Sequence, residues 1–526
     1  MSHVSAFNFV TKLEKIRVCD GGVTASASKV RHLVTPGRDV GMRSISRRAL
    51  LTSATALCGL RSASAAPAVI LNDASRLNPI PVAGHSIVRD SDDNRVIAEL
   101  RAQLQAAARA GQPLCVGGAR HSMGGQSLPR DGVAISLAAP LCEPNPARRT
   151  YRVRGGVRWS EVIQALDPLG FSVAVMQSNH DFSVGGTLSV NAHGWPVPFG
   201  PFGSTVRALR LMLADGSIVS CSPTENADLF SLVIGGYGLL GIILDVEIEM
   251  VANVLLVPTF DRVPAAEVAA RLVTTVQDVS VNMAYARLSI AAKSFLQEAL
   301  VVSYRPVLPQ PRVLPLATRS NVYSFLSRQL YRSQIGSESG KEARWYTETV
   351  VFSRAASRLP LTRNAILNYP VAALGETNPR RTDILHEYFI PPDRFADFLA
   401  ACREIIPPSR QELINITLRY VEADRVSALA YAPVPGAPVP GARIAAVMSF
   451  AQEVTPEADR AMAAMTESLI DAVLALDGTF YLPYRLHARP EQVRAAYPEF
   501  DVFIAKKHYY DPQLRFRNLM WDKYFV

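Results

Sequence analysis

The sequence predicts an α+β protein, on three observations. Short alternating strands are separated by glycine-containing turns, as in Ala208 to Leu213, Asp215-Gly216 and Ile242 to Met250. Between Asp92 and Ala110, Val96, Leu100, Leu104 and Ala107 recur at helical spacing, and Gly111-Gln112-Pro113 ends that helix. In the second half a strand from Thr382 to Ile390, a helix from Pro391 through Ile405 and a strand from Leu413 to Val421 repeat the mixture. With 526 residues, 48% hydrophobic and 19% charged, the chain is too apolar for disorder. At about 150 residues per domain it has room for roughly two to four domains. It lacks the long apolar runs of a multi-span membrane protein.

The net charge of +9 is concentrated at one end. Residues 1–65 hold ten Lys or Arg against three Asp or Glu, which leaves the rest near +2. A nearly neutral body argues against a phosphate-tracking surface, so no nucleic-acid partner is expected. Ser44-Ile45-Ser46-Arg47-Arg48-Ala49-Leu50-Leu51, the weakly apolar stretch to Leu60 and then Ala63-Ser64-Ala65 resemble a twin-arginine export signal. On that reading residues 1–65 are an address, with Met42 as an alternative start, and the mature chain begins at Ala66. The export machinery is then a partner, and the destination is periplasmic or extracellular. The stretch from residue 50 to 60 is too short to span a bilayer, so no integral span is expected. Cys115, Cys142, Cys221 and Cys402 remain after cleavage, with no CxxC or His/Cys cluster, and neither a metal site nor a disulfide framework follows.

Three glycine clusters carry the chemistry. The strand Pro113 to Val116 runs into Gly117-Gly118-Ala119-Arg120-His121-Ser122-Met123-Gly124-Gly125, whose backbone N–H groups can converge on a phosphate. His180 to Gly194 contains Ser183-Val184-Gly185-Gly186-Thr187-Leu188-Ser189 and ends on Ala192-His193-Gly194. There, missing side chains let backbone approach a flat ligand. Gly235-Gly236-Tyr237-Gly238-Leu239-Leu240-Gly241 leads into the strand at Ile242. A tight loop explains any one cluster; three in one α+β unit point to a ligand.

Taken in order, Gly-Gly-x-Arg-His-Ser, Ser-Val-Gly-Gly-Thr, Asp-Gly and Gly-Gly-x-Gly-x-x-Gly-Ile are similar to the PCMH-type FAD-binding domain of the vanillyl-alcohol-oxidase flavoprotein superfamily, over about residues 79–253. The resemblance implies a two-part FAD-binding domain at 66–253 and an α+β substrate-cap domain with an antiparallel sheet at 254–477. A segment at 478–526 would return to the FAD domain. It implies that Val116, Gly117, Gly118, Ala119, Arg120, His121 and Ser122 wrap the FAD pyrophosphate. Ser183, Gly185, Gly186, Thr187, Ser189, His193 and Gly194 would line the isoalloxazine, and Gly238, Gly241, Ile242 and Ile243 would hold the adenine side. His121 falls where covalent members join histidine to the flavin 8α-methyl carbon, so covalent FAD through His121 is expected. Ser178 to Ser183 contains no cysteine, so the expected bond is a single one.

Substrate signals lie further along. Glu387 and Arg419 sit mid-strand among apolar residues, where a charge is costly unless it is paired or faces a cavity. A structural salt bridge or a solvent-facing alternation is the competing explanation. The Pro-rich run from Ala432 to Gly441 reads as a loop. Ser-Val-Gly-Gly-Thr with Ala192-His193-Gly194 looks like the aldonolactone and alditol oxidases, and Arg419 falls near their substrate-binding arginine strand. Phe480-Tyr481-Leu482-Pro483-Tyr484 and Lys506 to Pro512 look instead like cytokinin dehydrogenases, while Arg515-Phe516-Arg517-Asn518 resembles the sugar-acting branch again. The alditol-oxidase His-Trp-x-Lys is missing, with Tyr484 or Arg485 nearest its lysine, and Asp181 is displaced from the cytokinin-dehydrogenase aspartate. The resulting expectation is an FAD-dependent oxidase or dehydrogenase that oxidises a C–OH group of a polyol, sugar or aldonolactone, with hydride passing to flavin N5. Arg419, Glu387 and Tyr484 would act on the substrate. No nicotinamide fingerprint is present, so electrons are expected to pass to O2 or a respiratory acceptor. Oxidation of a secondary amine of the cytokinin type is the alternative, and a noncatalytic flavin-binding or ligand-binding protein is the alternative of another class.

Overall fold

The structure, a computed structural model, describes residues 69–317, 328–371, 375–433 and 441–526. The expected export signal and its cleavage after Ala65 lie outside the described residues, as does 434–440 of the Pro-rich run. The protein is α+β with largely antiparallel sheets.

A small pair, β1 (Val69–Leu71) and β2 (Ile80–Val82), precedes a parallel sheet of β3 (Gly84–Val88), β4 (Leu114–Gly117) and β5 (Val133–Leu137), ordered β3-β5-β4. The crossover is the helix Asp93–Arg109. Asp92 caps it by accepting from the Arg95 N–H at 2.9 Å, Val96, Leu100, Leu104 and Ala107 are its buried face, and Gly111 leaves it at φ +64°. That helix delivers the chain to β4, so the first glycine cluster begins at a strand's C-terminal end.

An antiparallel sheet follows. It is built from β6 (Cys142–Asn145), β7 (Thr150–Arg154), β8 (Phe171–Val173), β9 (Val206–Met212), β10 (Ile218–Cys221) and β11 (Ile242–Ala252), ordered β10-β9-β11-β7-β6 with β8 on the far end of β11. The third glycine cluster opens β11.

The remaining strands form one eight-stranded antiparallel sheet: β12 (Leu255–Pro264), β13 (Met283–Leu288), β14 (Glu298–Pro306), β15 (Leu361–Thr362), β16 (Arg381–Ile390), β17 (Glu412–Val421), β18 (Arg443–Glu453) and β19 (Thr479–Phe480). Its order is β15-β12-β14-β13-β17-β18-β16-β19. Side chains alternate across it. Ile416, Leu418, Ala446, Met448 and Phe450 belong to the same buried core as Leu272, Phe398, Cys402, Met462 and Leu469, on the helices Val268–Gln277, Phe395–Ser409 and Pro456–Leu474. The alternate set, Asn415, Thr417, Arg419, Val447 and Ser449, faces a cavity. Strand β18 is therefore buried along its length except at Glu453.

The last residues return to the first sheet and fasten the glycine clusters. Leu114 N–H donates to Arg515 O at 2.6 Å, and the Asn518 amide donates to Gln126 O at 2.9 Å and Tyr237 O at 3.1 Å. Lys507, fully buried with Asp511, donates to Leu239 O at 2.6 Å. Among the described residues no helix is long and apolar enough to cross a membrane.

Candidate active site

A cavity of about 1030 Å³ lies between the glycine clusters and the polar face of the eight-stranded sheet. On one side its wall is rich in glycine, with Gly117, Gly118, Gly155, Gly156, Gly185 and Gly186 among its lining. Close approach requires glycine there: a Cβ on Gly118 would sit 1.9 Å from Ser183 Oγ, and one on Gly156 would sit 1.7 Å from Leu137 O. Ser183 caps the short helix Val184–Ser189 by accepting from the Gly186 N–H. The Thr187 hydroxyl bonds Gln177 Oε1 (2.9 Å) and Ser183 O, and also accepts from Trp159 Nε1 (2.8 Å), while Ser189 bonds Gly185 O. Those hydroxyls therefore hold the cradle's own shape.

At the sheet side four groups converge. His193 Nε2 and Glu387 Oε1 are 2.6 Å apart, and the Tyr484 hydroxyl donates to Glu387 Oε2 at 3.1 Å. Arg419 donates to His193 O at 3.1 Å and to Ser178 Oγ at 2.8 Å. Burial pushes the Glu387 carboxyl up, but His193, Arg419 and the Tyr484 hydroxyl outweigh it and hold it below the usual carboxylate range. Burial lowers the His193 imidazole, Glu387 pulls it back and Arg419 lowers it again, with a net value below 6.5. At neutral pH the pair is thus a carboxylate and a neutral imidazole. The short contact assigns the proton to Nε2. Burial, reinforced by Glu387, keeps Tyr484 a phenol.

Among the described residues, Gln177 Nε2, His193 Nδ1, Trp195 Nε1 and Arg419 Nε, all on residues that line this cavity, are buried without a protein partner. Orphans cost about 1 to 3 kcal/mol each unless a ligand meets them. Together with the backbone cradle they fit a flat, polar group such as FAD, which Gly117, Gly118, Ser183, Gly185, Gly186 and His193 would hold. His121 presses its ring on Phe182 at 4.2 Å between centroids and lines the same cavity. Burial lowers its imidazole, Asp181 opposes and Arg158 adds to the lowering, so it is neutral at pH 7.

Of the residues singled out from the sequence, Val116, Gly117, Gly118, Ala119, His121, Ser122, Ser183, Gly185, Gly186, Thr187, Ser189, His193, Gly238, Gly241, Ile243, Glu387, Arg419 and Tyr484 all line this cavity. Arg120, Gly194 and Ile242 do not. Arg120, at φ +53°, turns behind the loop to Ser136 Oγ (2.8 Å) and lines a second pocket with His85 and Arg158. Gly194 lies where a Cβ would meet Met176 O at 1.9 Å, a packing requirement, and Ile242 is buried in the smaller core with Leu114 and Met212. Asp181 accepts the Val371 N–H on both oxygens at 3.0 Å, away from the wall. Sequence reasoning missed Gly155 and Gly156, whose pairing was visible, and also Gln177, Trp195, Arg287 and Glu348, which no spacing marked.

Residues 95–222 match the family described as the FAD binding domain. Cytokinin dehydrogenase 3 of Oryza sativa subsp. japonica is 35% identical over 133 residues, 24% of this chain and 25% of that protein. An alditol oxidase of a Streptomyces species is 33% identical over 146 residues, 27% and 35% of the two chains. A decaprenylphosphoryl-beta-D-ribose oxidase of Mycolicibacterium smegmatis is 30% identical over 169 residues, 31% and 36%. The aligned chain thus spans a quarter to little more than a third of these relatives' lengths.

The electrostatics have a consequence for stability. His193, His386 and His487 are all held below 6.5, chiefly by burial. As pH falls from 6.5 toward those depressed values, the unfolded chain binds protons that the folded chain excludes, so stability falls. The slope is up to about 1.4 kcal/mol per pH unit for each histidine. Denaturant unfolding measured from about pH 7.5 to about pH 5 should show this loss, and His386→Gln should make it shallower by roughly one histidine's share. A wild-type stability that is level across that range contradicts the assignment.

Proposed function

From residues 95–222 as an FAD-binding domain of the type carried by the vanillyl-alcohol-oxidase superfamily, we propose that the protein is an FAD-dependent oxidoreductase that dehydrogenates a C–OH group of a polyol, sugar or aldonolactone. The observation that carries this reading is the convergence of Glu387, His193, Tyr484 and Arg419 on one cavity wall beside the glycine cradle.

FAD, when bound, supplies a two-electron acceptor for the hydride of the substrate C–H bond. Glu387 Oε2 receives the hydroxyl proton, since Oε1 is committed to His193 and the carboxyl is ionised at neutral pH. Tyr484 steadies that oxygen by donating to it. Arg419, clamped by His193 O and Ser178, keeps its Nε–H for the oxygen on which negative charge develops. A guanidinium so placed favours alcohol over amine oxidation, because an amine develops positive charge as it loses hydride. Two relatives, an alditol oxidase and a decaprenylphosphoryl-beta-D-ribose oxidase, support the carbohydrate class, and a cytokinin dehydrogenase supports the amine reading. Against the amine reading stands Asp181, whose carboxylate is occupied by Val371.

Anaerobic bleaching of the flavin across alditols, aldonolactones, aldoses and N6-alkenyl adenines tests the substrate class. Bleaching by a carbohydrate is expected, with Arg419→Ala lowering kcat/KM about 100-fold or more; bleaching by the adenines alone reverses the assignment. The rate at which O2 restores the oxidised spectrum then separates an oxidase from a dehydrogenase that uses a respiratory acceptor.

His121 supports a covalent link, because a neutral imidazole keeps the lone pair that a bond to the flavin 8α carbon needs. Acid-denatured protein should carry flavin fluorescence on a gel, and His121→Ala should lose it while binding FAD noncovalently. Release of intact flavin from the wild type by acid rejects the link.

Export by the twin-arginine route is supported by Arg47-Arg48 and by Ala63-Ser64-Ala65. The Arg47→Lys, Arg48→Lys double variant should remain inside the cell, and exported wild type should begin at Ala66. Export undiminished in the double variant contradicts this assignment.

A further inference from the structure

The cavity continues past Arg419 and Glu387 to a second polar centre with a different construction. Arg287 on β13 donates to Thr417 Oγ1 at 3.1 Å and to Glu348 Oε1 at 3.0 Å. Arg344, buried, donates to that same Oε1 at 2.8 Å and to Asn415 Oδ1 at 2.9 Å. Glu348 Oε2 and Arg287 Nε have no partner among the described residues. The Glu348 and Arg287 side chains each keep 21% exposure although both line the cavity, so that exposure faces inward. Burial pushes the Glu348 carboxyl up, but the two arginines overcome it and keep it ionised. Its backbone is unusual as well: the chain widens into a π-helical turn over Thr347–Phe352, an arrangement that tends to mark functional positions.

Strand register measures the separation. Arg287 pairs with Thr417, Thr417 with Val447 and Val447 with Glu387. Three steps of about 4.8 Å put the two backbone positions about 14 Å apart. Six carbons joined by bonds of about 1.5 Å extend less than about 8 Å, so a single hexitol chain at Glu387 leaves the second centre largely uncovered. Near it stand aromatic faces: Trp195 stacks on Tyr285 at 4.5 Å, with Tyr304 next to Tyr285 at 6.5 Å. A cation that donates, a carboxylate that accepts and a flanking aromatic face together suit a hydroxylated ring, which offers O–H groups at its edge and C–H groups on its face.

We propose that Arg287, Glu348 and the Trp195–Tyr285 face form a distal subsite for a second hydroxylated ring, so that the substrate is a glycosylated polyol or sugar. This rests on the C–OH oxidation proposed above. The ring's hydroxyls donate to Glu348 Oε2 and accept from Arg287, while the unit to be oxidised lies at Glu387.

The test compares matched probes on the flavin-loaded enzyme: xylitol and sorbitol against lactitol and maltitol. The glycosylated pair should be preferred at least tenfold in kcat/KM, mainly through KM, and Glu348→Gln should reduce that preference about tenfold. Arg287→Gln, which leaves the Glu348–Arg344 pair in place, should do the same if Glu348→Gln fails to fold. Calorimetric titration with lactitol reads the subsite without turnover: both variants should raise its Kd about tenfold. If no probe bleaches the flavin yet lactitol binds and the variants weaken it, the oxidation reading fails and the subsite stands. Equal preference for the two pairs, or lactitol affinity that neither variant changes, overturns the subsite.

Discussion

The rest of the site depends on the hydrogen bond between His193 and Glu387. It joins the glycine-rich segment after Ser183 to β16, the seventh strand in the order of the eight-stranded sheet, two stretches 194 residues apart. His193 and Glu387 are each 3% exposed, and the carboxylate charge is not tolerable alone at that depth. A lone buried carboxylate would take up a proton; paired with an imidazole N–H, a phenol and a nearby guanidinium it stays ionised. The bond that ties cradle to sheet is therefore also what keeps a proton acceptor ready at neutral pH. Structural and chemical roles cannot be separated at this position, since removing Glu387 strands His193 Nε2 and removing His193 leaves Glu387 Oε1 buried without a donor.

That arrangement works because the sheet has two unlike faces. Its helix-covered face is mainly apolar, with the buried His386 meeting Thr466 of the helix Pro456–Leu474, and its cavity face carries Glu387, Arg419, Thr417, Asn415 and Arg287 at alternate positions. A half-exposed sheet would show such residues as solvated alternation. Here the cradle and the chain around Glu338–Tyr346 and Thr347–Phe352 cover that face, so the same alternation encloses polar side chains at low dielectric, where each hydrogen bond and charge acts strongly.

The sequence revealed what depended on local pattern. The helix at Asp93–Arg109, the strands at Arg381–Ile390 and Glu412–Val421 and the helix between them all follow from spacing and breakers. Glu387 and Arg419 could be picked out because a charge in the middle of an apolar strand violates its surroundings. Arg287 obeys the expected alternation of Met283–Leu288, and Glu348 sits in a polar helical stretch that reads as solvated; only remote covering segments make either a cavity residue. The helix Val184–Ser189 was illegible for a different reason: Val-Gly-Gly-Thr-Leu-Ser has poor helix propensity, and it forms because Ser183 caps it and Gly155 lies against Gly185. Gly194 shows the limit of reading glycines as ligand contacts, since its missing Cβ accommodates Met176 O.

The cradle cannot be self-sufficient. Arg120 and Tyr237 hold φ values of +53° and +54°, which side chains with a Cβ rarely adopt, and Tyr237 lies between Gly236 and Gly238, which have no side chains to fix the turn. Something outside must over-determine those turns. Arg120 is held by its own bond to Ser136 Oγ, and the C-terminal segment acts through carbonyls: Asn518 holds Tyr237 O, 281 residues away, and Gln126 O just past the first cluster, and Lys507 holds Leu239 O from within a fully buried ion pair with Asp511. Carbonyl contacts constrain backbone without occupying the space that side chains would take from a ligand. Two of the three clusters are thus set by residues that never reach the cavity, and the strain at the turns is balanced by hydrogen bonds formed behind them.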